Sequence, residues 1–324
     1  MFIRAILVTG AVLAALPAPL MAADPTPQGK GLETIRYISF NLSQEAALVV
    51  AQARGFFAAE GLDVDITITP NSTVQMRGLS DGTWDMGTTS FDNVLAWSGR
   101  EGTPIVAVLQ RPGQIDLPVY VRPEIRDWAD LRGRPLAVDA VDTAFALVLR
   151  RILLAHDLDL DRGDYELVAA GATPARFESL TRGETFAGIL NRELAGPARE
   201  AGLVRIGDHL EVLPDYPENV YAVARPWAEQ HPDQLVRFLR AWLAAARWVR
   251  DNPEAAVELM VARGLPRPVV ESTVAAYTPD GSLNVPGLGN VLGLRTQFGF
   301  TLPMGTDLSR YFDTTYYQRA AAGR

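Results

Sequence analysis

The chain has no cysteine and only three histidines in 324 residues. A protein exported with this composition has no disulfide, no thiolate metal site and no cysteine to carry a lipid anchor. His156, His209 and His231 stand far apart, in no metal-ligand spacing and beside no nucleophile motif. The nucleophile elbow G-x-S-x-G, the phosphate loop G-x-x-x-x-G-K-[ST] and the dinucleotide fingerprint are also missing. These absences argue against an enzyme and leave no cofactor or metal to expect. Past the first two dozen residues, no apolar run approaches the ~20 residues that a membrane span requires. Positive charge is in deficit too. Thirty Lys and Arg against 38 Asp and Glu give a net charge of −8, which argues against nucleic acid or anionic lipid as a partner.

Met1–Ala23 carries one early positive charge at Arg4, an apolar run from Ala5 to Leu16 and small residues at Ala22 and Ala23, followed by Asp24-Pro25. This is the pattern of a cleavable secretory signal peptide, too short and wrongly flanked for a spanning helix. Without a lipid-accepting cysteine, the expectation in a double-membrane cell is a monomer free in the periplasm. An apolar content of 48% supplies core for one large or two ordinary domains, and no internal repeat is evident.

The most ordered pattern lies between Ile35 and Ser90. Ile35–Phe40 is a short β-rich run, broken by Asn41 and Ser43. Ala46, Ala47, Val49, Val50 and Ala53 recur at helical spacing, and Gly55 ends that helix. Leu62, Val64, Ile66 and Ile68 alternate with polar residues, as in a half-buried strand. Pro70 stops it, and Ser72 or Thr73 is placed to cap a second helix that closes near Gly82. A third strand begins around Trp84 and Met86. Strand, helix, strand, helix, strand with short connections predicts a parallel sheet with right-handed crossovers. Such a sheet holds ligand groups beyond the carboxyl ends of its strands. Here those loops are Asn41-Leu42-Ser43, Asn71-Ser72-Thr73 and Thr88-Thr89-Ser90, all uncharged and rich in hydroxyls and amides. Each such residue can equally be a helix cap.

Gly55-Phe56-Phe57, Glu60-Gly61-Leu62-Asp63-Val64 and Gly82 with Asp85 together resemble the solute-binding proteins of ABC importers, in the branch for sulfonates, nitrate and thiamine-pyrimidine precursors (NMT1/THI5-like). The resemblance implies an α/β, two-lobed type II periplasmic-binding-protein fold, each lobe a mostly parallel sheet flanked by helices, joined by a two-strand hinge. The implied partners are a small-molecule ligand and an ABC permease in the inner membrane. A second phrase, Ile125 with Asp130-Leu131, Gly133 and Ala137-Val138, resembles the one that opens the family's second lobe. The expected division is therefore 24–121 plus 220–324 for lobe 1 and 122–219 for lobe 2.

In relatives the next loop holds small residues that bind an anionic head group on backbone amides. This chain has Asp139-Ala140-Val141-Asp142-Thr143, two carboxylates where an anion would go. Asp142 is also a normal helix-start residue. With Asp92 at the head of the helix after Ser90, these acids favour a neutral or cationic nitrogen-containing ligand, such as a pyrimidine-like precursor. The alternative is an organic anion, an alkanesulfonate or carboxylate, held by Arg111 in the loop after the Ile105–Leu109 strand. Asn191, past the strand that relatives begin with G-x-x-D-A, and Tyr221, in the returning strand, complete the candidate ligand-binding set. Two readings of another class stay open. One is a ligand-sensing partner of a membrane receptor; the other is an enzyme like the related pyrimidine synthases, whose cysteine and histidine motifs are absent here.

Overall fold

A computed structural model describes residues 31–113, 115–217 and 219–323. The expected signal peptide lies outside the described residues. Among the described residues ten strands follow one another: β1 (Glu33–Ser39), β2 (Leu62–Ile68), β3 (Met86–Thr89), β4 (Ile105–Gln110), β5 (Pro118–Val121), β6 (Pro135–Val138), β7 (Glu166–Ala169), β8 (Ala187–Ile189), β9 (Val204–Asp208) and β10 (Val220–Ala224). They form two five-stranded sheets, ordered β2-β1-β3-β10-β4 and β7-β6-β8-β5-β9. In the first sheet β2, β1 and β3 are parallel neighbours, while β10 runs antiparallel between β3 and β4. The second sheet repeats the plan, with β5 as the reversed strand between β8 and β9. Each sheet with its flanking helices is one lobe of a two-lobed α/β fold.

The reversed strands show where the chain crosses. It leaves the first sheet through 111–117 and returns through 209–219. The sequence reading set the change of unit near Arg122, but β5 lies before that point and is hydrogen-bonded into the second sheet. The first crossing therefore precedes Pro118. The family phrase around Asp130 marks a local turn inside the second lobe, which is why it placed the boundary late.

Unbroken apolar runs make β4 and β10, because both faces of the sheet are covered there. In β4, Val106 and Val108 enter one apolar cluster and Ile105 and Ala107 the other; in β10, Tyr221 and Val223 alternate with Val220 and Ala222 in the same way. The cluster on the outer face of the first sheet is closed by the helices Ala46–Ala53 and Pro232–Asp251, the latter burying Leu235, Phe238, Leu239 and Trp242 along one stripe. Each such residue contributes roughly 1.5–3 kcal/mol when fully buried. The second cluster is shared between the lobes. Ile105, Phe91 and Ala222 from the first pack in it with Leu136, Leu149 and Ile189 from the second, around Leu288, Val291 and Leu294 of the helix Val285–Gln297. Among the described residues, no helix is long and apolar enough to cross a membrane.

Candidate functional site

A cavity of about 520 Å³ opens between the lobes, within the range of small-molecule sites. Its walls are strand-end loops. Residues following β1, β2, β3 and β4 supply one side, and residues following β6, β7 and β8 the other. Asn219 and Leu117, just before the two reversed strands, join them. A second groove, about 990 Å³, runs past the start of the helix Pro232–Asp251. It borders a single lobe, and its arginines pair with acids (Arg237 with Glu33 at 2.6 Å, Arg240 with Glu60 at 3.3 Å, Arg319 with Asp233 at 3.0 Å). The interlobe cavity is the candidate site.

Of the candidate residues, Asn41, Asn71, Ser72, Thr73, Ser90, Arg111, Asp139, Thr143 and Asn191 line it. The other five have different surroundings. The Ser43 backbone N–H donates to Asn41 Oδ1 at 2.7 Å, and the residue is buried. Thr89 is fully buried and its hydroxyl accepts from Asn93 Nδ2 at 2.9 Å. Asp92 is buried against Arg295, 2.9 Å from Nη1 to each carboxylate oxygen. Asp142 is exposed, and its backbone carbonyl accepts from the same Arg295 at 3.1 Å. Tyr221 lies under the floor, donating to Glu45 Oε2 at 2.5 Å and accepting from Trp242 Nε1 at 2.9 Å. The capping expectation is corrected as well. Asn71, not Ser72 or Thr73, caps the helix Ser72–Asp81, its Oδ1 accepting from the Val74 N–H at 2.9 Å.

Helix starts converge on the cavity. The helices Ala46–Ala53, Ser72–Asp81, Phe91–Trp97, Ala144–Ala155 and Thr173–Arg182 each place a residue of their first turn or cap at the wall, and backbone N–H groups there lack helical partners. Of the five N-cap residues only Asn71 closes its helix with a side-chain hydrogen bond; Glu45, Ser90, Thr143 and Ala172 make none.

Charge at the wall is partly spent in pairs. Glu45 is almost fully buried, and its carboxylate accepts from Arg111 Nη1 at 3.3 Å, while Arg111 Nη2 donates to Gln44 Oε1 at 2.6 Å. Arg192 stands 3.9 Å from Asp116 and donates to Ser272 Oγ at 2.7 Å. Asp139 accepts from the Thr143 hydroxyl through Oδ1. Arg176 is 2% exposed, and its guanidinium donates to the Ile189 carbonyl, the Gly171 carbonyl and Thr173 Oγ1 at 3.0, 3.0 and 2.7 Å. Burial lowers the Arg176 guanidinium from its ordinary value, and the nearby charge of Asp139 opposes that. Burial likewise pushes the Tyr221 and Tyr37 hydroxyls far up, aided by the Glu45 charge, so both stay neutral.

Side chains also meet across the opening. Glu193, after β8, accepts from Asn41 Nδ2 and from Gln44 Nε2 (3.4 Å) of the first lobe and from Asn191 Nδ2 (2.7 Å) of its own. Arg192 reaches Ser272 of the first lobe in the same region. Glu193 and Arg176 were not among the sequence candidates. The available signal for Arg176 was an arginine one turn into a helix, where the dipole disfavours a cation. Among the described residues, no group of three His, Asp or Glu is placed to hold a metal ion.

Two sheets of one design, joined by two crossings and facing each other over one cavity, define the two-lobed periplasmic-binding-protein fold. The sequence model of the NMT1/THI5-like family matches residues 43–256, and the chain belongs to that family. Similar folds occur in the periplasmic nitrate-binding protein NrtA of Synechocystis PCC 6803 (13% identity, 90% of this chain and 89% of that one, TM-score 0.75) and the periplasmic aliphatic sulphonate-binding protein SsuA of Escherichia coli (19%, 82% and 92%, 0.66). The ligand-binding component of an ABC-type import system from Staphylococcus aureus is a third (15%, 89% and 99%, 0.73). A curated relative, the bicarbonate transport ATP-binding protein CmpC of Synechocystis, is 27% identical over a match covering 67% of this chain and 35% of that one. The chain thus spans about a third of the length of the curated relative it matches.

Proposed function

We propose that this protein captures a small organic solute between its lobes and delivers it to an ABC-type permease in the inner membrane, acting in the periplasm as a binding protein rather than an enzyme. The observation that carries the reading is the meeting of both lobes over one cavity, with Asn41 and Gln44 of one bonded to Glu193 of the other. A solute touching both walls favours the form in which they are close, and hinge closure is the established motion of such folds. Names among the relatives lend support: one is a nitrate-binding protein, one a sulphonate-binding protein, and CmpC belongs to bicarbonate transport.

For the ligand we favour a neutral or cationic nitrogen-containing compound, pyrimidine-like in size. Asp139 is the acid that supports this, since it lines the cavity while Asp92 is engaged by Arg295. The organic-anion reading draws support from Arg176 rather than from Arg111, which is already engaged with Glu45 and Gln44. The test is mass spectrometry of whatever small molecule is released when protein purified from its native host is denatured. A nitrogen-bearing solute that also raises the melting temperature of the emptied protein is the expected result. Release of no solute, together with turnover of an added compound, would overturn the binding reading.

A further inference from the structure

Four of the six charged side chains at the cavity wall stand in opposite-charge pairs, Arg111 with Glu45 and Arg192 with Asp116. Arg176 and Asp139 do not pair with each other. All three hydrogen bonds of the Arg176 guanidinium go to neutral oxygens, two of them backbone carbonyls. A guanidinium has five N–H donors, so one hydrogen on each terminal nitrogen remains to donate to a carboxylate or similar oxyanion. Asp139 gives one oxygen to Thr143 and has no hydrogen bond to Oδ2 among the described residues. The two groups belong to the second lobe, Asp139 in the loop after β6 and Arg176 in the first turn of the helix Thr173–Arg182, close enough for the Asp139 charge to act on Arg176. The ring of Phe145 lies 5.3 Å from the guanidinium carbon.

A buried cation without an anion in contact is costly, and a second uncompensated charge beside it adds to the cost. A cationic ligand would answer Asp139 and leave Arg176 bare; an anionic one would do the reverse. We infer that the solute is bipolar, carrying an oxyanion for Arg176 and a protonated nitrogen for Asp139, with no net charge. This rests on the solute-capture reading and narrows it. Such a ligand is neutral overall, so it enters a wall whose arginines and acids already balance without adding net charge.

Isothermal titration of the full chain with two matched sets provides the test. One set is 4-aminobutanoate, butylamine and butanoate; the other is 4-(aminomethyl)benzoate, benzylamine and benzoate. In at least one set the bipolar member should bind about tenfold or more tighter than either half. Asp139→Asn should reduce its affinity to that of the matched acid while leaving the acid itself little changed. Arg176→Lys, which keeps the charge but loses the guanidinium, should weaken both acid-bearing members and spare the amine. Asp139 is half-buried and supports no backbone carbonyl, so its variant remains informative if the arginine variant does not fold. Equal affinities across a set that binds, or no binding by either bipolar compound, overturns the inference. The two readings fail separately. A singly charged solute released from host-purified protein sinks the bipolar class alone, whereas no released solute and no lobe closure sink both.

Discussion

Asp92 begins the helix Phe91–Trp97, where an acid is an ordinary first-turn residue, and sequence alone suits it equally to a ligand. Its partner lies 203 residues further on, a separation no local pattern announces. Burial pushes the Asp92 carboxyl up to about 6, with the adjacent Arg295 pulling the other way. A carboxyl raised in this way holds its proton in the native state after the unfolded chain has lost its own. Its contribution is therefore complete below about pH 4 and is lost as pH rises through about 6. Asp92→Asn should abolish that decline, seen as a flatter difference between urea midpoints near pH 5 and near pH 7.5. Asp142 was equally ambiguous on paper. In the fold only its carbonyl is used, by the same arginine. Hydroxyl-rich loops were legible as cavity walls because strand-end position follows from local pattern; which acid meets which arginine does not.

At the scale of elements, the chain contains a repetition that its letters conceal. The helix Ser72–Asp81 ends at Gly82 in the left-handed region, and β3 follows with Gly87; the helix Thr173–Arg182 ends at Gly183 in the same conformation, and β8 follows with Gly188. Between the glycines, Thr-Trp-Asp-Met and Glu-Thr-Phe-Ala match at no position, so no repeat was visible in the sequence. What recurs is backbone geometry: a left-handed turn that favours glycine, then a close approach to the neighbouring strand. A Cβ on Gly87 would stand 2.7 Å from the Ile38 carbonyl oxygen, whereas one on Gly188 would stand 3.1 Å from that of Ala137. Gly87→Ala should therefore cost about 1–3 kcal/mol and Gly188→Ala distinctly less, measured by chemical denaturation. Equal costs would show that the backbone yields in both sheets. The late placement of the lobe boundary has a related cause. β5 is only four residues long, and nothing in Pro-Val-Tyr-Val distinguishes a strand ending one sheet from a reversed strand entering the next.

For the whole molecule, the absence of cysteine becomes an experimental convenience. Asp63→Cys and Arg199→Cys, at exposed positions on opposite lobes, would accept a dye pair with no competing thiol. The separation should shorten when a solute that raises the melting temperature is added, and Glu193→Ala should lengthen it in the absence of solute, since Asn41 and Gln44 lose their partner. A separation indifferent to every stabilising solute would sink the closure mechanism. The two-lobed plan was readable in advance because it rests on alternating strand and helix patterns and a family phrase. How firmly the lobes adhere to one another was not, because that depends on residues far apart in sequence.

The apolar cluster to which both lobes contribute has a bearing on how the protein comes apart. Separating the lobes as fragments would bare Ile105 and Ala222 on one, Leu136 and Ile189 on the other, and strip Leu288 of half its neighbours. Neither fragment would stay dissolved for long. Heating should accordingly melt the protein in one cooperative step rather than lobe by lobe, and a guest that touches only the second lobe would protect the first from proteolysis as well.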